Sequence, residues 1–255
     1  MKEIKIKRQT ILLYDDIDQL PIEVFNKVNK YWMLHDNIGS SFEDIDGVHL
    51  AKLFLLINTP EKLKKELENL RILVFNIINE VNPRHMAFAS LIYSIDGKEI
   101  TDRSEEGLKR TLKRLDITEG DLKKKNKEIR ERIYADLEIY FPSLFDNILS
   151  VAFWTKMKER ILKQCDAILE GRSSEKEINA ADVYFASLIN PKSFTGAENA
   201  ELAYDKGFEK NCILLSSLTN QPVKNLTTKE YFTLIKHYND SIRHGRKPDP
   251  KGRHN

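Results

Sequence analysis

The chain has few of the residues on which metal clusters, disulfides and membrane spans depend. Its 255 residues include two cysteines, Cys165 and Cys212, so no disulfide framework or thiolate cluster is available, which suits a reducing cytosol. The longest apolar runs, LAKLFLLIN and RILVFNII, fall short of the ~20 residues that cross a bilayer. The opening MKEIKIKRQT has no hydrophobic signal region. We therefore expect no membrane contact and no secretion by the usual route.

Sequence motifs for catalysis are also missing. The phosphate-binding patterns GxxxxGK[ST] and GxGxxG are absent, as are the GxSxG elbow and the HExxH zinc motif. The sequence therefore predicts no enzyme and no cofactor.

One short stretch, SFEDIDGVHL, is a candidate for a divalent cation. Asp44, Asp46 and His49 combine carboxylates with an imidazole, a ligand set that binds such ions. Acidic residues in a first helical turn are also what the helix dipole favours, and a metal site normally needs three or more ligands. We favour helix capping and predict no metal.

Glycine and proline are few, with ten and eight residues, while 41% of the chain is hydrophobic and 31% charged. Long helices are expected from this composition. Thr59-Pro60 is typical of a helix start, and Leu63, Leu67, Leu70, Val74, Ile77 and Val81 follow at helical spacing. Thr227-x-x-Glu230 is a capping box, flanked by Leu226 and Tyr231 in the positions of a hydrophobic staple. The predicted fold is mainly α, a multi-helix bundle of about eight helices.

A minor β element is expected near residues 4–14 and 91–101. EIKIKRQTILLY alternates and then becomes β-branched, which indicates one opening strand. Asp96-Gly97 between strand-like runs indicates a hairpin, although a helix from Pro83 that stops at this glycine fits equally well. The strands could pair as a small sheet or offer an edge to a neighbouring subunit. We divide the chain into an α+β lobe (1–103), a helical lobe (104–242) and an extended tail (243–255).

The tail is the basic part of an otherwise near-neutral chain. It contains Arg243, Arg246, Lys247, Pro248, Pro250, Lys251 and Arg253 with a single acidic residue, Asp249. The whole chain carries +2, and the tail carries +4 of this, which leaves −2 on residues 1–242. Such a segment buries too little hydrocarbon to order itself, so we expect an acidic surface or nucleic acid as its partner.

A second concentration of cations is LKKKNKEIRER, on a helix beginning near Asp121. Its basic side chains are Lys123, Lys124, Lys125, Lys127, Arg130 and Arg132. They could form an electrostatic face for phosphate. We favour a solvated face, because Glu128 and Glu131 are interleaved with the cations and no aromatic residues alternate with them.

Three stretches resemble virion proteins of tailed phages, particularly crAss-like ones. They are ILLYDDIDQLPIEVFNKVNKYWMLHDNIGS, SIDGKEITD, and LTTKEYFTLIKHYN before the basic tail. Within that group, a helical chain of this size with an extended tail is similar to portal-adaptor proteins. The resemblance implies a ring of twelve copies beneath the portal, linking head to tail around a DNA channel. It also implies assembly in the host cytoplasm and a place at the head-to-tail junction of the virion.

Our hypothesis from this resemblance is that residues 243–255 act as a tether. An extended segment of that length reaches ~40 Å, and its cations would meet acidic groups on the portal or on a neighbouring ring subunit. Two other functions stay open: an assembly chaperone or scaffold factor that leaves the finished particle, and a nucleic-acid-binding protein.

Overall fold

The protein is mainly α-helical with one small antiparallel sheet, which confirms the predicted fold class. The computed structural model describes residues 1–36, 38–115, 119–142, 148–171 and 175–243. Two compact units divide the chain. The first is built from the described parts of residues 1–37, 82–144 and 200–255, and the second from those of 38–81 and 145–199. The lobes expected from the sequence follow the chain continuously, whereas each unit joins separated segments.

The helices are, in chain order, α1 (Ile22–Lys30), α2 (Phe42–Asp44), α3 (Ala51–Leu55), α4 (Pro60–Ile78), α5 (Pro83–Leu91), α6 (Glu105–Arg114), α7 (Glu119–Tyr140), α8 (Ile148–Glu170), α9 (Glu175–Leu188), α10 (Ala200–Leu215) and α11 (Thr228–Arg243). Two π-helical segments, Tyr31–His35 and Ile45–Leu50, continue α1 and α2. The predicted helix at Thr59-Pro60 is confirmed as α4.

The sheet lies in the first unit, and its strands follow the order β1-β2-β3-β4, with every pair antiparallel. The strands are β1 (Lys2–Ile6), β2 (Gln9–Leu13), β3 (Ile92–Ile95) and β4 (Lys98–Glu99). The prediction of one opening strand at 4–14 is wrong, because the chain reverses at Lys7, whose φ of 50° is left-handed. The distant segments do pair, with Ile11 opposite Ile95.

The hairpin predicted at Asp96-Gly97 is confirmed, whereas the helix from Pro83 stops well before Gly97. Helix α5 starts at Pro83 and ends at Leu91, and the β3–β4 hairpin follows. Asp96 and Gly97 both adopt positive φ, 50° and 75°, as a two-residue hairpin turn requires. The Asp96 carboxylate accepts a hydrogen bond from the Thr10 amide at 2.8 Å, which attaches this turn to β2.

Helix α5 forms the centre of the first unit. Its side chains from Met86 to Leu91 are all buried, and it packs against α1, α6 and α7. In the same unit, α11 begins at the predicted capping box, because the Thr227 amide donates to Glu230 and the Glu230 amide donates to the Thr227 hydroxyl. The main chain at the start of α1 is bonded to the main chain at the start of α11. The Thr228 amide donates to the Leu20 carbonyl at 2.8 Å, and the Ile22 amide donates to the Leu226 carbonyl at 2.9 Å.

Candidate interaction surface

Helix α4, in the second unit, has its polar residues turned inward. Glu66 is 1% exposed, and Asn69 and Asn76 are also buried, beside the single apolar residue Leu73. The Glu66 carboxylate accepts from Nδ1 of the fully buried His49 at 2.8 Å. Asn76 donates to the Gly39 carbonyl oxygen at 3.3 Å. The buried face of α4 is therefore set by hydrogen bonding rather than by hydrophobicity.

The His49 imidazole is held between two acceptors. While Nδ1 faces Glu66, Nε2 lies 2.8 Å from the carbonyl oxygen of Ile38. Burial lowers the pKa of His49, but the hydrogen bonds to Glu66 and Ile38 outweigh it and leave the pKa raised. Burial alone would raise the pKa of Glu66. The hydrogen bond with His49 and the charge of Lys52, whose Nζ lies 3.6 Å from the carboxylate, outweigh this effect and leave the pKa of Glu66 lowered. Both ring nitrogens thus face oxygen acceptors, and the two pKa shifts favour a charged imidazole beside a charged carboxylate.

The opposite face of α4 is mostly apolar and open to solvent, with the exposed Arg71 among its apolar side chains. Phe75 is 60% exposed and Ile78 is 74% exposed, and Leu67 and Val74 are exposed beside them. The predicted stripe from Leu63 to Val81 thus exists, but it lies on the half-buried and exposed side of the helix rather than in the core. An apolar face of this kind is typical of a surface that a partner covers. We call the side chains of Leu67, Val74, Phe75 and Ile78 the α4 apolar face.

A groove elsewhere in the second unit adds to the exposed apolar area. It measures about 1160 Å³, and its walls include Phe54, Ile57, Met157 and Val183. Arg160 on α8 contacts Asp182 on α9 at 2.6 Å along one side. At another side Lys62 donates to the carbonyl oxygens of Ala186 and Ser187, which lie at the end of α9. This lysine therefore stabilises the negative end of the α9 dipole.

The second unit buries few apolar side chains and exposes many. Among its described residues the buried ones are Ile38, Leu56, Leu73, Ala181, Phe185 and Ala186. Most of the large apolar side chains that the structure leaves exposed also belong to this unit, including Phe42, Phe54, Ile57, Phe75, Ile78, Ile168, Leu169 and Val183. A monomeric protein rarely leaves so much apolar surface open, so the second unit is suited to association.

The residues of the metal candidate take separate roles. The Asp44 carboxylate accepts from the amides of Ser40 and Ser41 at 2.8 and 2.9 Å, as a capping side chain does. His49 is buried against Glu66, whereas Asp46 is exposed. Within the part of the chain that the structure describes, no three His, Cys, Asp or Glu side chains group as a metal site would require.

The cations of α7 are largely engaged with carboxylates. The contacts are Lys125 with Glu128, Lys127 with Glu131, Arg130 with Asp36 and Arg132 with Asp15, at 3.0, 3.7, 2.8 and 2.6 Å. Arg130 also stacks over the rings of Trp32 and Tyr134. Lys123 and Lys124 are exposed. Arg130 and Arg132 tie α7 to other segments of its own unit, whereas Lys125 and Lys127 pair with carboxylates within the helix.

Of the predicted tether, Arg243 is the exposed last residue of α11. Arg246, Lys247, Pro248, Pro250, Lys251 and Arg253 lie outside the described residues. The α4 apolar face was not among the predicted sites. A signal for it exists in the sequence, because Glu66, Asn69 and Asn76 recur at helical spacing on the side of α4 away from Leu67, Val74 and Ile78.

Comparison of the chain with protein-family models, with curated proteins and with solved structures finds no match. Among the described residues, no helix combines the length and the hydrophobicity that a bilayer crossing needs.

Proposed function

We propose that the chain is a structural protein of a tailed-phage particle, which assembles with copies of itself into a connector ring beneath the portal. The observation that carries the proposal is the exposed apolar surface of the second unit. Contacts between neighbouring subunits of a ring would bury the α4 apolar face and the walls of the groove. Removing such area from water contributes about 25 cal/mol per Å².

The charge distribution supports a protein partner more than a nucleic acid. Most of the α7 cations contact carboxylates of their own unit, so fewer of them could release counterions from phosphate. In the proposed ring, DNA passes through the channel without sequence-specific contact, and the basic segment 243–255 reaches the portal or an adjacent tail protein.

The decisive experiment is a projection image of the purified full-length protein. A ring with rotational symmetry is the expected result, and twelve copies is the expected number. A protein that stays monomeric, with its apolar surface uncovered at high concentration, would contradict the proposal.

Mass spectrometry of purified virions then separates the ring from its main alternative. A connector is present in finished particles in a fixed ratio to the portal. An assembly chaperone could use the same apolar surface to hold its client, but it would be absent from those particles.

A further inference from the structure

The first strand of the sheet has a free edge in the part of the chain that the structure describes. Strand β1 pairs with β2 alone, from Lys2 opposite Leu13 to Ile6 opposite Gln9. In a two-residue hairpin the last pair, Ile6 with Gln9, exchanges main-chain hydrogen bonds, and bonded pairs then alternate along the strands. Lys2, Ile4 and Ile6 therefore bond to β2. Glu3 and Lys5 direct their main-chain N–H and C=O groups away from the sheet.

The bonds on the other side of β2 agree with this alternation. The Thr10 carbonyl accepts from Asp96, and the Tyr14 amide donates to Leu91, so the even-numbered residues of β2 bond toward β3. The main-chain groups of the odd-numbered residues of β2 are therefore the ones that bond to β1.

The two edges of the sheet differ in their capacity to pair with another strand. Strand β4 has two residues, and the Ile100 amide that follows it already donates to the Tyr93 carbonyl oxygen. Short edges of this kind resist pairing, whereas a regular five-residue edge such as β1 invites it.

We propose that β1 pairs antiparallel with β1 of a second copy of this chain, centred on Ile4. In that register Glu3 of each copy lies opposite Lys5 of the other. The main-chain groups of these two residues point outward, so Glu3 of one copy can exchange main-chain hydrogen bonds with Lys5 of the other. The same pairing brings their opposite side-chain charges together. Both side chains are exposed, and both lie on the face opposite the buried Ile4.

Two neighbouring registers also let the outward main-chain groups of Glu3 and Lys5 form hydrogen bonds, but both are less favourable electrostatically. A shift of two residues one way places Glu3 opposite Glu3, and a shift the other way places Lys5 opposite Lys5. Like charges directly opposite each other destabilise a strand pair. In the centred register the two Ile4 side chains also meet on the buried face, which extends the apolar side of the sheet across the two-fold axis.

This dimer is independent of the proposed ring. The contact uses the same residues from both copies, so it closes with two chains, whereas a ring needs two different surfaces on each subunit. A five-residue strand pair is also small beside the ~1,200–2,000 Å² of a stable interface. The association is therefore weak and needs concentrated protein.

Charge reversal tests the pairing in the full chain. Sedimentation equilibrium from about 10 μM to about 1 mM would follow dimer formation. Glu3→Lys and Lys5→Glu should each weaken the dimer about tenfold, since both symmetry-related pairs become repulsive. The double variant should return to the wild-type dissociation constant. Arg8→Glu, an exposed reversal in the turn beyond β1, is the matched control and should change nothing.

Cross-linking tests the register. With Cys165→Ser and Cys212→Ala as background, Ile4→Cys should form a disulfide across the two-fold axis, where a non-hydrogen-bonded pair has Cα atoms ~4.5 Å apart. Lys2→Cys should not, since its two copies would lie ~13 Å apart. A monomer throughout the concentration range, single reversals without effect, or cross-linking through Lys2→Cys would overturn the proposal.

Discussion

At the scale of single residues, the buried pair of His49 and Glu66 decides how the second unit is arranged. Burying two charges costs about as much free energy as their attraction returns, so the pair is weak evidence for stability. Its effect is on orientation, because the His49 ring contacts both Glu66 and the Ile38 carbonyl and so keeps the polar side of α4 inward. Lys52 and Asn69 complete the polar groups around it.

Removing one member of this pair should be costly. Glu66→Ala leaves the buried imidazole without its counter-charge, and we expect the free energy of unfolding to fall by about 3–5 kcal/mol. Urea denaturation followed by circular dichroism measures it. Glu68→Ala, two residues further along α4, is the control and should stay within about 0.5 kcal/mol of wild type. Equal losses in both variants would show that the pair has no special role.

Stability should also depend on pH through His49. Its pKa is raised in the folded protein, so its contribution is complete below the unfolded value of about 6.5 and is lost as the pH rises through the folded pKa. His49→Gln removes the titrating group. The stability difference between wild type and this variant should therefore be larger at pH 6 than at pH 9. A difference that stays constant would mean that the ring is neutral.

At the scale of elements, α4 shows which features of the fold could be predicted from the sequence. Its start at Thr59-Pro60, the capping box of α11 and the turn at Asp96-Gly97 depend on residues a few positions apart, and all three are confirmed. The buried face of α4 could not be predicted in this way. It depends on His49, which lies 17 residues before Glu66 and meets it only in the folded chain.

Two further features escaped prediction, one because of an unusual turn residue and one because of a distant contact. The reversal at Lys7 lacks the glycine or asparagine that usually marks a two-residue turn. The contact between Asp36 and Arg130 joins residues 94 positions apart, so this partner of the α7 charge run could not be predicted. The pairs with Glu128 and Glu131 follow the helical spacing on which the solvated face was predicted.

The exposed face of α4 gives a direct test of the proposed surface between subunits. Ile78→Glu should weaken assembly about tenfold or more, because the interface would have to bury a carboxylate. Ile213→Glu on α10 is the matched control, since Ile213 is 72% exposed, like Ile78 at 74%, but belongs to the first unit. Both variants should keep the wild-type melting temperature. Mass photometry would report the assembly state, and loss of assembly in the control alone would place the interface elsewhere.

At the scale of the whole molecule, the two units are unequally packed. The first is centred on the buried helix α5, whereas the second exposes much of its apolar surface. In the proposed ring, the second unit would therefore supply the contacts between subunits, and the role of residues 243–255 as a tether stays a prediction.

Deleting residues 243–255 tests this division of roles. The shortened chain should remain folded and should still associate through the second unit, because neither property depends on those cations. Its docking to the portal should be lost, which purified particles would report by the absence of this protein. A matched full-length variant carries Gln in place of Arg243, Arg246, Lys247, Lys251 and Arg253. Normal incorporation of the shortened chain into particles would disprove the tether.

The hydrogen bonds between Leu20 and Thr228 have a consequence for synthesis. These residues are 208 positions apart, and their contact helps to close the first unit. At roughly 5–20 residues per second, a ribosome needs about 10 to 40 seconds to pass from one to the other. A nascent chain cannot complete the first unit during that interval. Prematurely terminated products would therefore lack a complete first unit.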